Sequence, residues 1–180
     1  MSEQRKIAGA VHSIAWGYIW IHAGINVGNV DLLPDWIGYC LIFRALPWLA
    51  REVPSAKLLR PLGLILSVWY AAEWLTGILR VSASLYGLDM IITVVSLYFH
   101  FQLLTDVAGA GNRYGCPQGE ELPGLRTART VLMTVSALII HWAEGSEWML
   151  AVALIIGIVQ LIIVFRLCQV LFGLEKALLK

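Results

Sequence analysis

The sequence predicts an all-α fold, a polytopic membrane bundle of six transmembrane helices, from two observations. Of 180 residues, 59% are apolar and 14% charged, and the mean hydropathy of +0.75 lies far above that of a soluble globular domain. Six stretches also approach the roughly 20 apolar residues needed to cross a hydrocarbon core about 30 Å thick at about 1.5 Å per residue. The lipid bilayer is therefore the first expected partner. With 13 basic and 12 acidic residues, a net charge of +1, no nucleic-acid surface is indicated. Cys40, Cys116 and Cys168 share no short spacing, so neither a disulfide framework nor a cysteine zinc site is expected.

The first helix, about 7–27, follows Arg5 and Lys6 and contains no Asp, Glu, Lys or Arg. It is too long for a signal peptide and is interrupted by His12 and His22, so it reads as a retained anchor. The second, about 34–50, opens on Pro34 with Asp35 beside it, both suited to a helix start. About 17 residues, with Arg44 and Pro47 near the exit, make it short, tilted or re-entrant. The third, 61–79, carries Glu73, and the fourth, 85–104, carries Asp89. The fifth, 127–143, and the sixth, 148–167, flank Glu144, Gly145, Ser146 and Glu147 and read as a helical hairpin. Between the fourth and fifth, 105–126 reads as a Gly-rich cytoplasmic loop, and 168–180 as a short cytoplasmic tail. All of 1–180 forms one membrane domain.

Cytoplasmic loops hold an excess of Lys and Arg. With six crossings and the N-terminus inside, Arg5, Lys6, Arg51, Lys57, Arg60, Arg113, Arg126, Arg129, Arg166, Lys176 and Lys180 are internal. Arg44 sits near the inner end of the second helix, and only Arg80 lies outside. A re-entrant second segment would put the cluster from Arg51 to Arg60 outside, so charge favours full crossings with both ends cytoplasmic. Cys116, in the internal loop, offers a labelling position.

The same topology gathers Asp31, Asp35, Glu73, Asp89, Glu144 and Glu147 at the outer side with Trp36, Trp74, Trp142 and Trp148, an acidic, aromatic mouth. Asp89, Thr93, Ser96 and His100 fall within roughly 60° on the fourth helix. Thr127, Thr130, Thr134, Ala137 and His141 line the fifth; Ala153, Gly157 and Gln160 the sixth; His12, His22 and Asn26 the first. Polar groups are costly in hydrocarbon, so these faces should turn towards one another. Small residues and hydroxyls also serve plain helix packing. Glu73, Asp89 and His100 are the leading ligand-binding residues, because titratable groups within spans point to function; Asp31, Asp35 and His22 join them. Glu73 has a structural alternative beside Trp74 or Arg80. His141 and Glu144, one turn apart, form a weak candidate metal pair, too few ligands alone.

No Walker loop, dinucleotide fingerprint or nucleophile elbow is present, and no cofactor is indicated. Glu120, Glu121 and Arg126 resemble the EExxxR motif of CAAX-type proteases, but the spacing is one residue too long and the segment is placed outside the membrane. No inverted repeat is discernible.

The segment from Asn26 to Ile42 has Asn26, Gly28, Asp31, Leu33, Pro34, Asp35, Ile37, Gly38 and Tyr39 as its skeleton. It resembles a family of small bacterial multi-pass membrane proteins that carry such an element after the first helix. The resemblance covers about 30 residues and implies a bacterial cytoplasmic membrane location without an activity. Physically the element is a helix-to-helix joint, in which Gly38 permits a close helix contact beside Tyr39.

Three functions follow as expectations. The first is binding or transport of a small solute or cation through the outward mouth, with Asp89 to His100 as an inner track. In size and topology the chain is similar to substrate-binding subunits of energy-coupling-factor vitamin transporters, an analogy of architecture. The second is a non-enzymatic scaffold or regulatory partner, bound to a membrane protein or to further copies of itself through Ala153, Gly157 and Gln160. The third is a metal-assisted membrane enzyme at His141 and Glu144.

Overall fold

A computed structural model describes residues 3–23, 26–27, 30–31, 34–79, 86–142 and 147–180. It contains six α-helices: α1 (Glu3–His22), α2 (Asp35–Glu52), α3 (Leu59–Leu79), α4 (Tyr86–Arg113), α5 (Gln118–Trp142) and α6 (Glu147–Leu178). A 3-10 turn, Pro54–Leu58, leads into α3, and two two-residue strands, β1 (Asn26–Val27) and β2 (Val30–Asp31), pair antiparallel between α1 and α2.

Local chemistry sets the helix ends. Pro34 caps α2 in extended conformation with Asp35 in the first turn, where a carboxylate meets the positive helix end. Pro54 excludes the helical region for the residue before it, so Val53 turns extended at φ −125° and α2 stops. Pro47, inside α2, lacks an N–H to donate along the helix.

The expected loop at 105–126 is corrected. α4 runs on to Arg113 and α5 begins at Gln118. Gly115, at φ +67°, closes α4: Cys116 N–H donates to Gly111 O at 3.0 Å and Gly115 N–H to Asn112 O at 3.0 Å, a Schellman ending. The glycines that resemble loop composition allow close packing instead. A Cβ on Gly111 would lie 3.2 Å from Gly119 Cα, and one on Gly119 would strike Asn112. The expected tail is also helical. Leu167, Leu171, Leu174 and Leu178 of α6 repeat at helical spacing and are all buried, with α6 packed on α1.

The helices close a ring in chain order. α1 packs on α2, α2 on α3, α4 on α5, α5 on α6 and α6 back on α1, while the α3–α4 seam is the loosest. Polar contacts tie the ends together: Arg113 bonds Glu52 at 3.2 Å, Arg166 bonds Glu121 at 2.8 Å and His12 bonds Glu175 at 3.0 Å.

Among the described residues, three helices are long and apolar enough to cross a membrane, within Pro54–Leu79, Gly87–Arg113 and Ala151–Leu178. α2 carries Asp35, Arg44, Arg51 and Glu52, and α5 carries Glu120, Glu121, Arg126 and Arg129, so their composition is more polar. Side chains such as Ile65, Val68, Leu79, Met90, Ile91, Leu154, Leu161 and Phe165 face outward. A belt of this extent is compatible with a surface that meets lipid or another protein rather than water.

Candidate functional site

Close approach of α1 and α2 builds the site. A Cβ on Gly17 would lie 2.8 Å from Gly38 O, and one on Gly38 2.6 Å from Gly17 O, so only glycine fits the crossing. The next residues, Tyr18 and Tyr39, thereby enter the interior together, and both are buried. His100 of α4, 1% exposed, meets them. Its Nδ1 lies 3.0 Å from the Tyr18 hydroxyl and its Nε2 3.2 Å from that of Tyr39, which reaches Ser96 Oγ at 3.1 Å. The Tyr39 ring stacks on Tyr70 of α3 at 4.9 Å, with 6° between the planes.

A neutral imidazole donates through one nitrogen and accepts through the other. The chain Tyr18–His100–Tyr39–Ser96 can therefore run in either of two opposite polarities. His22 is fixed in one form: its Nδ1 donates to Tyr18 O at 2.9 Å, and its Nε2 accepts from Arg129 Nη2 at 3.3 Å.

Arg129 completes the junction from α5. It is 2% exposed, its guanidinium carbon lies 5.5 Å from the Tyr18 ring centre, and its Nε has no hydrogen-bond partner among the described residues. Among those residues no carboxylate lies within ion-pair distance of it. An isolated buried charge is expensive, by several kcal/mol after relaxation. α5 places it there because Arg129 stands seven residues, two turns, beyond the buried Leu122.

His100 and His22, both expected ligand groups, meet in this junction. Glu73 and Asp89 do not: both are exposed, although close enough to feel each other's charge. The polar line of the fourth helix divides, with Ser96 and His100 buried but Asp89 and Thr93 outward beside the loose α3–α4 seam. Asp35 is half-buried at the start of α2 and acts electrostatically on Tyr70, as does Glu73; Trp36 and Trp74 approach at 6.2 Å nearby. The side chains of Asp31 and His141, and the whole of Glu144, lie outside the described residues. Among the residues described, no group of three or more His, Cys, Asp or Glu is arranged to hold a metal.

Residues on three other expected inward faces are corrected. Thr127 and Thr134 are exposed and Thr130 half-buried; their hydroxyls donate to Pro123 O, Thr130 O and Arg126 O of their own helix. A threonine that satisfies itself one turn back needs no partner across the bundle. His12 faces outward to Glu175, and Ala153 and Gly157 are exposed.

Arg129, counted by charge among the cytoplasmic cations at the inner end of the fifth helix, is buried in the interior instead. Its spacing from Leu122 and Leu125 was the available signal.

No protein-family model matches the chain, and no match is found among curated proteins or solved structures.

Proposed function

We propose that this chain is a six-span protein of the bacterial cytoplasmic membrane, with both ends cytoplasmic, that binds or transports a small solute carrying an anionic group. The observation that carries the reading is Arg129, a buried guanidinium whose Nε has no hydrogen-bond partner, and which has no carboxylate within ion-pair distance, among the described residues. A fork of charged donors held in low dielectric matches a carboxylate or a small inorganic anion, and it repels a bare cation. The aromatic group of Asp35, Trp36, Tyr70, Glu73 and Trp74 adjoins the junction through the Tyr70–Tyr39 stack. Positive charge inside and the family-like segment from Asn26 to Ile42 support the topology and location.

The test is thermal unfolding of the purified protein in detergent with acetate, chloride, glycine betaine or choline added. Stabilisation by one or more of the first three, abolished in Arg129→Gln, supports the reading. Stabilisation by choline alone, or by none of the four, refutes it.

A second reading, a scaffold for a membrane-protein partner or a homo-oligomer, rests on Gly157. No atom lies within 4 Å of a Cβ built there, so α6 presents an open small-residue face with Ala153. Gly157→Leu should then shift the assembly to smaller mass in native gels; an unchanged mass refutes this reading.

A further inference from the structure

We propose a second binding site, for a phosphate group, on the surface formed by the end of α2, the 3-10 turn and the start of α3. There Pro47, Ala50, Arg51, Lys57 and Arg60 line an open cavity of about 450 Å³. Among the described residues three cations and no acid line it, and none of the three is ion-paired. Glu3 feels Arg51, but its carboxylate is bonded by Lys6 at 2.8 Å. Like charges collected around one concavity repel one another unless an anion joins them.

Two aromatic rings hold the guanidinium groups in place. Arg51 lies 4.4 Å over the Trp48 ring and Arg60 6.0 Å over that of Phe43. A guanidinium held over a ring face by cation–π attraction keeps N–H donors for other partners, and such donors suit phosphate oxygens. Lys57 adds a mobile point charge. The remaining walls are apolar, and Trp48 and Leu58 beside the cavity are exposed. A phosphate attached to an acyl chain satisfies both characters, and basic pockets at cytoplasmic helix ends are suited to anionic headgroups. The site is built independently of Arg129, so either proposal can fail alone.

The experiment is native mass spectrometry of the full-length protein released from micelles containing equal amounts of phosphatidylglycerol and phosphatidylcholine. A second arm supplies inorganic phosphate without anionic lipid. The triple variant Arg51→Gln, Lys57→Gln, Arg60→Gln is compared with wild type and with the charge-matched control Arg5→Gln, Lys176→Gln, Lys180→Gln. Wild type and control should retain phosphatidylglycerol over phosphatidylcholine, and the triple variant should lose about tenfold of that preference, the sum of three exposed charge contacts. Retention of inorganic phosphate alone, lost in the triple variant, supports the same site with a soluble source. If the triple variant does not fold, Lys57→Gln alone should lower retention about two- to threefold. Equal retention of both lipids and of no phosphate by wild type, or equal loss in triple variant and control, overturns the proposal.

Discussion

Replacing Arg129 by Met separates a ligand-holding guanidinium from a structural one by the sign of the effect. In the ligand-free protein the substitution removes one long bond to His22, at 3.3 Å, and a contact with the Tyr18 ring at 5.5 Å. Together these contribute about 1–3 kcal/mol. It also removes the cost of burying a charge that has no counter-ion among the described residues, several kcal/mol. Met fills a similar volume and adapts to irregular gaps. The balance favours the variant by about 1–4 kcal/mol, the range found when buried ionic groups give way to apolar ones. For a chain of this length each kcal/mol moves the unfolding midpoint by about 2–4 °C. The assay is thermal unfolding in detergent, after exhaustive dialysis against a bulky non-binding buffer anion, followed by tryptophan fluorescence. A bound anion should erase or reverse the order: a ligand at 1,000 times its dissociation constant stabilises wild type by about 4.1 kcal/mol and leaves the variant unmoved. A ligand-free Arg129→Met protein less stable than wild type by about 2 kcal/mol or more would refute the reasoning.

Three further outcomes are expected. Gly38→Ala should destabilise by about 1–3 kcal/mol, because the new Cβ meets Gly17 O and Ile21 at 2.6 Å, while Gly157→Ala should stay within about 0.5 kcal/mol; equal midpoints for the two would contradict the crossing. Asp106 is buried, its Oδ2 has no partner among the described residues, and its Oδ1 accepts from Ser55 at 2.6 Å and Gln102 at 2.8 Å. Ser55→Ala should therefore cost about 1–3 kcal/mol in chemical denaturation, and no loss would show the bond to be dispensable. Burial pushes the Cys116 thiol up, and the residue is 7% exposed, so alkylation should be slow at pH 7 and accelerate as rising pH forms thiolate. Fast, pH-independent labelling would refute that, whereas Gly124→Cys, at an open position, should label readily in a background lacking the native cysteines.

The all-helical class was legible in the sequence because apolar runs of membrane length leave the backbone few alternatives to helix. Helix starts were legible where the signal is covalent and local, as at Pro34 and Asp35. Gly38 was legible as a contact, since a residue without Cβ beside a bulky Tyr39 serves close approach better than helix propensity. The span of 105–126 was misread because glycine has one composition and two uses. It loosens a chain in water, but at Gly111 and Gly119 it lets two helices touch.

What the sequence by itself determined is therefore helicity, the presence of segments long and apolar enough to cross a membrane, and the placement of His22 and His100 on apolar segments. Tertiary structure decided which polar groups meet. Periodicity assigns a residue to a face, but the partner of that face depends on the helix order around the bundle, which only packing sets. Thr127 and Thr134 share a polar face yet bond to their own backbone, whereas Arg129, assigned to solvent by its charge, enters the interior because its helix begins nine residues earlier than the apolar run suggests. Tyr18, Tyr39, His100 and Arg129 come from four different helices. They converge because Gly17 and Gly38 bring α1 and α2 into contact and the ring returns α4 and α5 to the same level.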